Sequence, residues 1–155
     1  MKIKTLGLTL LLSVAAGAFC FAGPNPTEGS WKLNEAKSKL GAGASKNSMV
    51  VWEHAGDDEK CTVDGVDADG KKVHTVWTGK LDGKDYAITG DATTDMRSFK
   101  LNDDKSIGMI SKKDGKTVGE GKIVVSPDGK TRTVTNTMTN AKGEKVTTTG
   151  VYDKN

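Results

Sequence analysis

His54 and His74 are the only imidazoles in the sequence. A zinc centre needs three or four ligands, so the two could serve only with help from Cys or carboxylates. The segment Asp64-Gly65-Val66-Asp67-Ala68-Asp69-Gly70 clusters the oxygens that a hard cation wants. Its register is wrong for a calcium loop. With Gly70 at the turn position, the first ligand falls on Gly65 and the twelfth on Val76, neither of which has a carboxylate. A hairpin turn accounts for the segment better. The pairs Asp57-Asp58 and Asp103-Asp104 lie in polar stretches, where solvation leaves carboxylates unsuited to acid–base work. No nucleophile elbow or His-Glu-x-x-His is present, and the glycines of 41–46 are not followed by the Lys-Ser/Thr of a phosphate loop. The residues point to no catalytic or metal site and to no cofactor, so no enzyme activity is expected.

Binding chemistry is better represented. Trp52, Trp77, Tyr86, Arg132 and Tyr152 offer aromatic faces, hydroxyls and one cation, and His54 adds an imidazole. Such groups hold a small amphipathic molecule if one pocket collects them; equally, the tryptophans could be ordinary core packing. The elements that carry them decide between these uses.

Turn chemistry sets those elements. Asp69-Gly70, Asp82-Gly83, Asp114-Gly115 and Asp128-Gly129 are hairpin dipeptides that tolerate positive φ. Between them lie stretches rich in Val, Ile, Thr, Trp and Tyr, which predict strands at 29–33, 48–54, 60–66, 71–81, 84–89, 96–101, 106–111, 117–126, 130–138 and 145–152. A turn or two of helix fits only at 34–40, before Gly41. An open antiparallel sheet of this size would leave two edges and an apolar face bare. The expected fold is therefore all-β: an up-and-down meander of about 8 to 10 strands closed into a barrel.

Period-2 alternation assigns faces. Val73, Thr75, Trp77, Gly79 and Leu81 share one side and His74 the other. Glu53 at the surface turns Val50, Trp52 and His54 inward; Glu120 and Lys122 do the same for Gly119, Gly121, Ile123 and Val125. The strand from 130 shows water a face of five threonines and turns Arg132, Val134, Asn136 and Met138 inward. This interior is mixed, more polar than a sealed core, and suits a cavity for water or a small ligand. Ligand contacts are expected from Trp52, His54, Trp77, Tyr86, Arg132 and Tyr152. A filled barrel that works through its surface, as an inhibitor or interaction module of the cell envelope, is the alternative.

Residues 1–22 have the layout of a cleavable secretory signal: Lys2 and Lys4, an apolar run from Leu6 to Ala16, and a small-residue end at Ala22. The run is too short to span a bilayer, for which about 20 apolar residues are needed. Cys20 falls within the leader, and bulky Phe19 before it does not suit lipoprotein processing. Export to the periplasm or the medium is expected, with 23–155 as one domain that does not span the membrane. Aromatics are only 5% of the chain, and the outward faces carry Lys, Glu and Thr where an outer-membrane barrel would need apolar girdles. Loss of Lys2 and Lys4 leaves 21 basic residues against 20 acidic ones, a formal charge of +1 where the whole chain has +3. The charges alternate along the chain, so nucleic acid is not an expected partner. Cys61 is the one remaining cysteine and has no partner for an internal disulfide; its β-patterned neighbours place it in the core. A monomer is expected.

Gly29-Ser30-Trp31 at the head of the first strand resembles the Gly-x-Trp motif of lipocalins and the wider calycin group, which includes fatty-acid-binding proteins. The resemblance implies a ligand-binding barrel with Trp31 plugging one end. The string Gly29-Ser30-Trp31-Lys32-Leu33-Asn34, followed by Ala36-Lys37-Ser38, is also similar to the start of a group of small exported bacterial proteins, for which no activity is implied. Thr149-Gly150-Val151-Tyr152-Asp153-Lys154 resembles the closing strand of fatty-acid-binding proteins, where an Arg-x-Tyr pair holds a carboxylate. Gly150 stands in place of that arginine, so only Tyr152 carries over unless Arg132 substitutes from the neighbouring strand.

Overall fold

A computed structural model describes residues 25–41, 44–139 and 143–155. The secretory leader expected at 1–22 lies outside them. Ten strands follow one another: β1 (Gly29–Leu33), β2 (Lys46–Ala55), β3 (Asp58–Val66), β4 (Lys72–Gly79), β5 (Tyr86–Thr89), β6 (Met96–Leu101), β7 (Ile107–Lys113), β8 (Lys116–Val125), β9 (Thr131–Thr139) and β10 (Lys145–Lys154). Each pairs antiparallel with the next, and β1 pairs with β10 to close the barrel. No α-helix occurs among the described residues; the 34–40 segment supplies a single 3-10 turn at Glu35–Lys37, capped by the Asn34 side chain.

The Asp-Gly turns work as their chemistry dictates in most places. At Asp114-Gly115 both residues take positive φ, 50° and 74°, which matches the twist of the β7–β8 hairpin. At Asp82-Gly83 the outcome differs from the expected tight hairpin. β4 stops at Gly79, and the connecting segment pairs with β6 instead: Gly83 N donates to Phe99 O at 2.9 Å and Leu101 N to Leu81 O at 3.1 Å. β5 consequently shares only two register pairs with β4 and two with β6.

Alternation places the core where period 2 puts it. Trp31, Trp52 and Trp77 are 0%, 1% and 1% exposed, and Cys61, Phe99, Ile107, Ile123, Arg132 and Tyr152 are buried with them. The Trp52, Trp77 and Phe99 rings pack at centroid separations of 5.0 Å (Trp52–Phe99), 4.7 Å (Trp77–Phe99) and 5.9 Å (Trp52–Trp77). Each such pair adds about 1 kcal/mol beyond burial itself. Inward glycines make room for this packing. A Cβ at Gly79 would strike the Tyr86 ring, one at Gly119 the Met138 sulfur, one at Gly121 the Met109 methyl, and one at Gly150 the Tyr152 ring.

One end of the barrel is closed by the segment before β1. Asn25 Oδ1 accepts from Thr27 N (2.9 Å) and Thr27 Oγ1 (2.8 Å), and both residues are buried. The Thr27 carbonyl in turn accepts the Trp31 indole N–H at 2.7 Å. No helix among the described residues is long and apolar enough to cross a membrane.

Candidate functional site: the barrel interior

Within the barrel, β9 brings Arg132 opposite Tyr152 of β10 on one side and Val125 of β8 on the other. The guanidinium carbon lies 4.7 Å from the Tyr152 ring centroid and 5.7 Å from that of Trp31. Arg132 is 3% exposed. Its Nε and Nη1 find no acceptor, and no carboxylate among the described residues forms an ion pair with it. Arg97, the second inward arginine, differs. Its Nη2 reaches Asp91 Oδ2 at 3.3 Å and its Nε donates to Ser111 Oγ at 3.2 Å. One interior guanidinium is thus neutralised and the other is not.

Desolvation is the leading influence on the ionisable groups here. It lowers Arg132 from its ordinary value, against the favourable fields of Cys61 and Tyr152; a guanidinium starts so far above neutrality that it keeps its charge. Burial raises Tyr152, with Arg132 pulling the other way. Burial also pushes the Cys61 thiol up to about 11, despite the opposing fields of Arg132 and Arg97. Cys61 is therefore a neutral core side chain at pH 7, not a nucleophile.

Four further buried polar atoms are unpaired: Trp52 Nε1 and Asn136 Oδ1 at inward strand positions, and Thr94 Oγ1 and Asp95 Oδ1 on the connection between β5 and β6. The other indoles are satisfied, Trp77 by the Arg97 carbonyl at 2.9 Å and Trp31 by Thr27. Asn136 faces Gly121, with its Oδ1 3.3 Å from where a Cβ on that glycine would stand. At the inward strand positions the unpaired atoms are donors on Arg132 and Trp52 and an acceptor on Asn136. An anion with a hydrogen-donating group is its chemical complement.

The structure brings most of the expected contact residues together. Trp52 and Trp77 meet in the core, and Tyr86 stands edge-on to Trp77 at 5.8 Å. The Tyr86 hydroxyl points outward, donating to Asp82 Oδ2 at 3.2 Å. Arg132 and Tyr152 form the stacked pair. His54 is a correction. It keeps the parity of Val50 and Trp52 but lies next to the last residue of β2, at the rim beyond the end of the β1 pairing; its side chain is 56% exposed between Glu59 Oε1 (2.9 Å) and Glu28 Oε2 (3.4 Å). There it fastens the closing segment and does not line the interior. His74 is exposed on the outer face, 2.7 Å from Asp64. Among the described residues no three His, Cys, Asp or Glu side chains gather into a metal site.

Sequence reasoning passed over Arg97 and the closing segment. Arg97 shares the inward parity of Phe99 and Leu101, a signal that alternation contains. Asn25 and Thr27 read as loop, and only their hydrogen bonds reveal a plug. Outside the interior, an open groove of about 430 Å³ runs between β2, β3 and β4 beside Asp64 and His74, and one of about 290 Å³ crosses β6 to β8 beside Lys100 and Ile110.

No protein-family model and no curated protein matches the chain. The closed ten-stranded antiparallel barrel is consistent with a calycin-like fold, and the Gly-x-Trp segment opens β1 with its tryptophan buried at the closed end.

Proposed function

We propose that this chain is an exported, non-enzymatic carrier that holds a small amphipathic molecule inside its barrel, with the acidic end of that molecule paired to Arg132. One observation carries the reading: a buried guanidinium has two unpaired donor nitrogens and no carboxylate partner among the described residues. Leaving a charge in that state costs several kcal/mol, and the stacking on Tyr152 and Trp31 recovers about 1–2 kcal/mol per ring. An anionic ligand supplies the missing partner. The acyl or aromatic body would lie against Trp52 and Val134, displacing the flexible Met109 and Met138 side chains from over their glycines. The working location is the periplasm or the medium, and the working form a monomer.

A second reading is favoured by the glycine packing. Because side chains occupy the inward space at Gly79, Gly119, Gly121 and Gly150, a permanently filled barrel acting through its outer grooves as an envelope interaction module is the alternative. Native mass spectrometry of protein purified from its source separates the two. A retained acid, released on denaturation and absent from Arg132→Met, supports the carrier. Bare protein, together with silent tryptophan fluorescence on titration with acids, favours the filled barrel.

A further inference from the structure

We infer that the ligand is an acid that also carries a hydrogen-bond donor, a hydroxyl or amide N–H, at some distance from its carboxylate. The inference rests on the reading of Arg132 as the anion anchor and adds to it the second unpaired position on the same strand.

Arg132 and Asn136 both point inward from β9, four residues apart. At the rise of an extended strand their backbones are about 13 Å apart, with Val134 on the same face between them. At one end the unpaired atoms are donors, Arg132 Nε and Nη1; at the other the unpaired atom is an acceptor, Asn136 Oδ1. A plain fatty acid would satisfy the first and leave the second buried against hydrocarbon. An unpaired buried acceptor loses its hydration and gains nothing in return, so a simple alkyl chain is disfavoured beside Asn136. A chain ending in a hydroxyl or amide N–H donates to Oδ1 and meets both requirements.

The surroundings of Asn136 fit a ligand end. Gly121 opposite it in the β8–β9 register contributes no side chain, and the space over Gly121 and Gly119 is held by the ends of Met109 and Met138. Methionine ends rearrange at low cost. On the other flank Thr148 is paired with Asn136 and only half buried. The Asn136 end of the interior is therefore the softer one, whereas Arg132 sits among rigid rings.

Calorimetric titration of the mature protein with octanoate, its terminally hydroxylated counterpart and octanol tests the inference. The hydroxylated acid is expected to bind about tenfold more tightly than octanoate, the worth of one hydrogen bond to an otherwise unpaired buried group. Octanol is expected to bind most weakly. In Asn136→Leu the two acids should bind alike, and circular dichroism confirms that this variant is folded. Equal binding of the two acids to the wild-type protein would overturn the inference and leave the anion anchor standing. If neither acid binds, or if octanol binds as well as the acids, the anchor itself fails and the inference falls with it.

Discussion

Arg132 and Tyr152 stand opposite one another in the β9–β10 register, and the arginine lays its guanidinium 4.7 Å from the tyrosine ring centroid. The stacking orients the cation without neutralising it, so a ring can hold the charge in place while its N–H groups remain free for an anion. In Arg97, by contrast, Nε and Nη2 are spent on Ser111 and Asp91.

A buried charge without a carboxylate is costly, and an apolar side chain of similar length removes the cost. Arg132→Met is therefore expected to keep or raise stability, by about 1 kcal/mol in urea unfolding, while losing acid binding. A loss above about 2 kcal/mol would show that the arginine is chiefly structural.

Gly79 is required by the Tyr86 ring. A methyl group there meets ring atoms, so Gly79→Ala should cost about 2 kcal/mol. In the Tyr86→Ala background the same change should cost much less, with a coupling above about 0.5 kcal/mol in a double-mutant cycle. Additive effects would mean that the ring moves aside freely.

The closing segment should contribute measurably to stability. Asn25→Ala leaves the Thr27 amide and hydroxyl without their shared acceptor and removes the Asn25 donor from Glu59 Oε2, a loss of about 1–3 kcal/mol. Faster hydrogen exchange at the Trp31 indole, whose acceptor is the Thr27 carbonyl, would show that the plug had loosened.

Two groups give pH dependence of known sign. Ser106, through its hydroxyl and amide, and Lys122 hold Asp104 down to about 2, from 3.8; its stabilising effect is present above pH 4 and lost as pH falls through 2. Asp104→Asn should flatten that acid limb. Burial raises Cys61 from 9.0 to about 11, so stability is intact below pH 9 and is lost as pH rises from there through 11, because the unfolded thiol ionises first. The stability advantage of the wild type over Cys61→Ala should shrink across that window, and native protein at pH 7 should resist iodoacetamide. Rapid alkylation of the folded protein would contradict the buried placement.

Much of the architecture was legible because two local signals agree: Asp-Gly dipeptides mark turns, and alternation marks faces. Trp77, Trp52 and Arg132 point inward as their neighbours' polarity requires. His54 shows where alternation stops being informative. Parity continues to the end of β2, but the pairing with β1 ends at Trp52, and the polar side chain beyond it turns to Glu28 and Glu59. The filling of the interior was equally hidden. A glycine in a strand pattern shows that space is needed, and only packing shows that Tyr86, Met138, Met109 and Tyr152 take it.

The most direct measurement is the Arg132 side-chain Nε–H resonance in a nitrogen-15 NMR titration with octanoate. If Arg132 is an anion anchor, that signal moves downfield and its exchange with solvent slows as the acid binds, with the Trp52 indole shifting alongside it. An unchanged Arg132 signal, with shifts confined to the outer grooves at Asp64, His74, Lys100 or Ile110, would contradict the account.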